Sequence, residues 1–306
     1  MKHHFKKLLV ISLLALIASC RFYFNTTKDN FTSHSNLTSI QNGKNLTHNI
    51  CGSCHYDHES KKFIGKPMNE LPGIGGKLYS ANLTQSASNG IPPKYSDAEL
   101  FYLLKTGIAR NGEFMPYMMR PMMADEDIND VIAYLRSNDP DVTAADKTVG
   151  VSHINFLGKA FIRIASGKPT PFKKGIARPD ENDVAEYGRY LVGIVGCYHC
   201  HSASLLNIDY SFPELSKGYM DGGAKLKSSN GKKIRGSNLT FDNETGIGSY
   251  SSADFATAIR EGIGPGGYKL RIPMPKFKDL TDKQVQAIYT YLKTLPPVKH
   301  KVKTIS

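Results

Sequence analysis

The pentapeptide Cys-x-x-Cys-His occurs twice in this chain, as Cys51–His55 and as Cys197–His201, and few patterns constrain a fold so tightly. Two thiols three residues apart lie on one helical turn, with the imidazole directly after them. Each thiol can form a thioether to a vinyl group of the same porphyrin, and the imidazole then stands beneath the iron; this is the attachment pattern of a c-type haem. Five Cys and ten His in 306 residues give a chance match roughly 0.003 times per chain, so two matches are not coincidence. A zinc site built from two Cys-x-x-Cys pairs needs no His after both of them. A thioredoxin-like redox pair belongs in a βαβ setting, whereas the surroundings here read as helical. The pattern therefore specifies two covalently bound haems c, held by Cys51 and Cys54 and by Cys197 and Cys200, with His55 and His201 as proximal iron ligands.

The N-terminus reads as a secretory signal, with Lys2, Lys6 and Lys7 before an apolar stretch from Leu8 to Ala18. These 11 residues are too few to span a bilayer as a permanent helix, which takes about 20. The closing Ile17-Ala18-Ser19-Cys20 resembles a bacterial lipobox. It predicts a signal peptide over 1–19, a tether over 20–35, and Cys20 as the lipidated first residue of a chain anchored on the periplasmic side of a bacterial membrane. The alternative is an ordinary cleavage site with an incidental Cys. With Cys20 lipidated, the other four Cys are all consumed by haem, leaving no thiol for a disulfide, a nucleophile or a Cys-ligated metal. The formal net charge of +12 falls to +9 when residues 1–19, with three Lys, are removed. A basic exported protein is not expected to meet nucleic acid; its charge suits an acidic redox partner or anionic lipid. Lys225, Lys227, Lys232, Lys233 and Arg235 form one basic run and Lys299, Lys301 and Lys303 another, within a tail over 299–306. Such runs are commonly no more than solvated surface.

The chain also repeats itself outside the two motifs, at offsets of 146 to 157 residues. Asn82-Leu83-Thr84 pairs with Asn238-Leu239-Thr240, Tyr95-Ser96 with Tyr250-Ser251, Gly107 with Gly262, and Tyr134-Leu135-Arg136 with Tyr291-Leu292-Lys293. The repeat predicts two domains, over 36–140 and 183–298. Ser96 with Glu99 and Ser251 with Asp254 read as capping boxes opening helices that Gly107 and Gly262 can close. Thr281 with Gln284 is a further box, and Asp125 is the expected N-cap of its counterpart. Ile128, Val131, Ile132 and Leu135, and then Val285, Ile288, Tyr289 and Leu292, recur at helical spacing and read as core. No alternating apolar run is long enough for a sheet, so the fold class is all-α, with each haem supplying core to a small domain. Between the domains, over 141–182, Ile154, Leu157, Phe161 and Ile164 predict an amphipathic helix, with Lys159 and Arg163 on its other face.

A haem that only transfers electrons is closed by a second axial residue, whereas one that handles peroxide needs an open position. Met115-Pro116 and Met274-Pro275 stand shortly before the two final helices. Methionine sulfur is a soft ligand that raises the potential, and the following Pro stiffens the loop that presents it. Met115 and Met274 are therefore the predicted distal ligands. Core filling is the competing role for both, and Met118, Met119, Met122 and Met123 crowd the first loop. His34, His48 and His58 offer imidazole, but His58 lies close to the proximal turn. His199, at a variable position of its motif, is expected at the surface.

The run Met115-Pro-Tyr-Met-Met-Arg-Pro-Met-Met-Ala-Asp-Glu-Asp127, continuing to Tyr134-Leu135-Arg136, resembles the first haem domain of multihaem cytochrome c subunits of bacterial membrane-bound alcohol and gluconate dehydrogenases. Gly236 to Ser251, Ile272-Pro-Met-Pro275 and Tyr291 to Pro297 are similar to their following domain, and the likeness covers most of 40–298. It implies tandem class I cytochrome c domains, His/Met ligation and electron relay from a dehydrogenase or quinol-linked donor to a cytochrome or terminal oxidase. Those subunits often carry three haem domains, and this chain has two motifs. The alternative is a dihaem enzyme such as a cytochrome c peroxidase, which needs a vacated distal site. Both Met-Pro pairs are kept here, and the chain has no Trp to stand between haems.

Overall fold

The computed structural model describes residues 23–69, 76–147, 149–155, 158–159, 167–206, 208–228 and 231–303. The expected signal peptide, Cys20, and Leu157, Phe161, Arg163 and Ile164 of the expected linker helix lie outside these residues. The fold is mostly helical. Helices α1 (Leu37–Ile50) and α2 (Gly52–His55) are followed by α3 (Asp97–Thr106) and α4 (Asp125–Leu135). The same order then recurs as α5 (Val184–Val195), α6 (Cys197–His201), α7 (Ser252–Glu261) and α8 (Asp282–Thr294).

Local chemistry sets most of these boundaries. Side-chain and backbone donors exchange in capping boxes at Asn36 and Ser39 before α1, Ser96 and Glu99 before α3, Ser251 and Asp254 before α7, and Thr281 and Gln284 before α8. Gly107 and Gly262 close α3 and α7 in the left-handed conformation, at φ of 73° and 70°. Asp125 is not the cap of α4. Ala124 holds that position without a side-chain bond, while the Asp125 carboxylate pairs with buried Lys105 at 2.8 Å and accepts from Gly175 N at 2.7 Å. The charge of Lys105 outcompetes the helix end for it.

Helix α1 packs on α4 and α5 packs on α8. Each crossing is made through a glycine: a Cβ at Gly43 would stand 1.9 Å from Asp130 O, and one at Gly188 would stand 2.0 Å from Ala287 O. Only the absent side chain lets these backbones touch. The halves meet around α4, where Ala124 N donates to Tyr190 Oη at 3.0 Å, and Tyr190 Oη and Arg178 both bond the buried Asp127 carboxylate. The segment after residue 167 lies along the first half, with Thr170 Oγ1 donating to Lys105 O and Phe172 packed against Phe101 and Tyr102.

Two short antiparallel ladders qualify the all-α expectation. Strand β1 (Gly76–Lys77) pairs with β2 (His153–Ile154), and β3 (Lys225–Lys227) with β4 (Lys233–Arg235). They are two and three residues long, too short to produce a readable alternation. Ile154, expected to open the linker helix, is in β2 instead, and the described helical residues there are Gly158 and Lys159.

Candidate haem sites

Both Cys-x-x-Cys-His segments are helical turns continuing from a longer helix. Cys51 N donates to Thr47 O, and His55 N donates to Cys51 O, each at 2.8 Å. In the second half α5 ends at Gly196, left-handed at φ 85°, before α6 begins. Among the described residues no disulfide joins Cys51, Cys54, Cys197 or Cys200. Burial pushes the Cys51 and Cys197 thiols up to about 12, and Cys200 up to about 11 with help from nearby Cys54. The two attachment turns therefore lie within electrostatic reach of one another and share one cavity. Among the described residues no group of three or more His, Cys, Asp or Glu is placed to hold a metal ion.

His55 and His201 are buried, at 6% and 9% exposure. His55 Nδ1 lies 2.8 Å from Ala81 O and His201 Nδ1 lies 2.8 Å from Ser237 O. A carbonyl can only accept, so each ring donates from Nδ1 and keeps the lone pair on Nε2 for a metal. Burial also lowers both imidazole pKa values, favouring the neutral, ligating form.

The Asn-Leu-Thr repeat turns out to hold these carbonyls in place. Asn82 directly follows Ala81, and its Oδ1 accepts from Thr84 N while Nδ2 donates to Ala145 O, both at 2.8 Å. Asn238 directly follows Ser237 and makes the same two bonds, to Thr240 N and Val298 O, again at 2.8 Å. In the sequence this tripeptide marks a repeat; its role as a brace for the proximal ligands needs the fold to be seen.

All four thiols and both imidazoles line one largely apolar cavity of about 1500 Å³. That exceeds the roughly 300–1,000 Å³ of a site for one drug-sized ligand. Met115 and Met274 line it as well. Of the crowded methionines, Met119 and Met123 are 1% exposed, Met119 sulfur lies 3.4 Å from Thr170 N, and Met122 sulfur abuts Gly193. None of the three lines the cavity, whereas Met118 does. Among the other imidazoles, His48 bonds Asp141 at 3.0 Å, and His34, His48 and His58 are absent from the cavity wall. Met68 and His153 line the cavity without having been singled out in the sequence; neither stands in a motif or in the repeat.

His199 departs from its surface expectation. Its ring lies against Tyr198 and Tyr210, at centroid distances of 4.3 and 5.4 Å, and Nε2 is enclosed without a hydrogen-bond partner among the described residues. Burial, aided by the Arg120 charge, takes its pKa down to about 3. The ring is covered by aromatic neighbours of its own half, Tyr198 and Tyr210, and lines the cavity.

A thiol pair, a neutral imidazole with its Nε2 free, and a thioether on one apolar wall are the donors that a covalent c-type haem requires, and each half brings such a set to the cavity. Residues 40–139 match the cytochrome c family. The chain is also similar to the gluconate 2-dehydrogenase cytochrome c subunit of Pantoea cypripedii, at 26% identity over 93% of this chain and 65% of that one. It is similar to the fructose dehydrogenase cytochrome subunit of Gluconobacter japonicus, at 26% identity over 84% of this chain and 52% of the relative. A third relative is the cytochrome c subunit of the quinone alcohol dehydrogenase of Gluconacetobacter polyoxogenes, at 26% over 81% and 54%. The chain therefore carries a cytochrome c domain and is related to dehydrogenase cytochrome c subunits, of which it spans between half and two thirds of the length.

Proposed function

We propose that this chain is a membrane-anchored dihaem c-type cytochrome, built of two tandem class I domains, that relays electrons from a dehydrogenase or quinol-linked donor to a cytochrome or terminal oxidase. The observation that carries this reading is that both donor sets line one cavity. Cys51 and Cys54 would hold one haem, with His55 proximal and Met115 distal; Cys197, Cys200, His201 and Met274 would hold the other. Haem c supplies a one-electron iron couple whose potential a Met sulfur raises. The protein's own work is to fix the imidazole tautomers through Ala81 O and Ser237 O, keep water from the iron faces, and bring the two attachment turns together. The relatives are cytochrome subunits of dehydrogenases, which supports a carrier associated with such an enzyme. A dihaem peroxidase is not favoured, since both distal methionines line the cavity.

Two measurements test the reading. A pyridine haemochrome assay against protein mass should give two haems per chain; a value of one overturns the dihaem assignment. Among the described residues no helix is long and apolar enough to cross a membrane; the anchor proposed here is a lipid on Cys20. Cys20→Ser should release holoprotein into the soluble fraction, and retention on membranes after a salt wash would rule out the lipid anchor.

A further inference from the structure

Arg120 is 8% exposed and lines the cavity just after the Met115 turn. Its Nε donates to Ile194 O at 2.8 Å, and Nη1 donates to Tyr117 O and Met119 O at 3.0 and 2.8 Å. Ile194 lies in the last turn of α5, immediately ahead of the second attachment turn. A guanidinium carried by the first half's distal loop is therefore tied to the backbone that launches the second half's haem motif, by a planar fork that a flexible side chain would not reproduce.

The electrostatics are unusual. Among the described residues no carboxylate pairs with Arg120: the ionisable groups that feel its charge are Cys51, Tyr198, His199 and Tyr210. A buried cation ordinarily requires a counter-charge. Among the described residues Nε and Nη1 are met by carbonyl dipoles, so no protein carboxylate cancels the positive charge that Arg120 brings to the wall shared by both attachment turns.

Resting on the dihaem reading above, we propose that Arg120 is a positioning residue for electron transfer: it clamps the first half's distal loop to the helix end that launches the second attachment turn, and acts as one fixed charge that raises the reduction potentials of both haems. An oxidised haem iron carries one more positive charge than a reduced one, so a nearby cation disfavours oxidation at either site. Because the charge is shared, it lifts both potentials and disturbs the difference between them less.

The experiment compares the two-haem wild-type protein with Arg120→Gln and Arg120→Lys. Haem content is read by pyridine haemochrome, potentials by spectroelectrochemical titration, and the clamp by hydrogen exchange at the amides of Met115 to Met123. Haem content tests the dihaem reading, and the other two readouts test Arg120. In Arg120→Gln both potentials should fall and exchange should quicken. Arg120→Lys should hold both potentials nearer to wild type while exchange still quickens, because the charge remains and the fork is lost. Unchanged potentials in a Gln variant holding two haems, or a fall at one haem alone, would overturn the shared-charge assignment. If the Gln variant does not accumulate, His199→Glu places a carboxylate beside the intact guanidinium. The same paired fall is then expected, and its absence overturns the proposal equally.

Discussion

His55 and His201 each meet a carbonyl at 2.8 Å, and behind each carbonyl stands the same Asn-Leu-Thr brace with bonds of the same length. At the two candidate methionines the halves part company. Met115 is 42% exposed in a loop that also offers Met118, whereas Met274 is half-buried against the core with no other methionine on its side of the cavity. Proximal geometry tolerates little change, because the thioether spacing and the imidazole tautomer fix it together. A distal thioether on a flexible side chain can be delivered from several positions, so that side of a duplicated site is free to diverge.

The shared framework should break symmetrically. Gly43→Ala and Gly188→Ala each drive a methyl into a backbone carbonyl at 1.9 and 2.0 Å, which no side-chain rotation can relieve. Each should cost at least the upper part of the ~1–3 kcal/mol typical of overpacking, seen as a lower thermal midpoint and loss of holoprotein. A variant of either glycine as stable as wild type would show that the crossings are looser than this geometry demands.

The distal walls should respond unequally. Met274→Ala should leave both haems attached, open one iron to carbon monoxide and lower that potential alone. Met115→Ala should give a smaller change, since Met118 lies on the same wall, and Met115→Ala combined with Met118→Ala should restore the full effect. Carbon monoxide binding by the wild-type protein, together with a Met115 variant of unchanged spectrum, would remove Met115 from the ligand set.

Much of this was legible from local signals. The Cys-x-x-Cys-His turns, the capping boxes at Ser96, Ser251 and Thr281 and the closing glycines at 107 and 262 all depend on neighbours in sequence, and they stand as the sequence implies. What was hidden depends on contacts across long separations. Asp125 surrendered its capping role to Lys105, His199 was enclosed by Tyr210 from a later loop, and nothing near Gly43, Gly188 or Arg120 announces the partners that they meet. The Asn-Leu-Thr repeat falls between these cases, visible as a pattern but mute about its purpose until Ala145 and Val298 close over it.

The smallest expected effect tests why the last helices end differently, in Arg136 and Lys293. Arg136 donates to Asp97 Oδ1 at 2.9 Å and to Tyr95 O at 2.7 Å, and Asp97 also accepts from Ser33 N and Ser33 Oγ at 2.9 and 2.7 Å. Among the described residues Lys293 lies over the Tyr289 ring, at 5.9 Å, with no ion pair. Arg136→Lys should therefore destabilise the first half, while Lys293→Arg should be nearly neutral. Burial acts to raise the Asp97 pKa, but bonds from Ser33 and Arg136 outweigh it and hold the carboxyl below its ordinary 3.8. A folded-state pKa below the unfolded one contributes stability that is complete above the unfolded value and lost as pH falls through the folded value. Asp97→Asn should thus cost up to about 1 kcal/mol at pH 7, with the gap from wild type closing as the pH drops below 3.8. Denaturant midpoints measured across that range check the sign: a gap that stays constant with pH would mean that Asp97 acts through its shape and hydrogen bonds alone, and that its charge is not what distinguishes the two halves here.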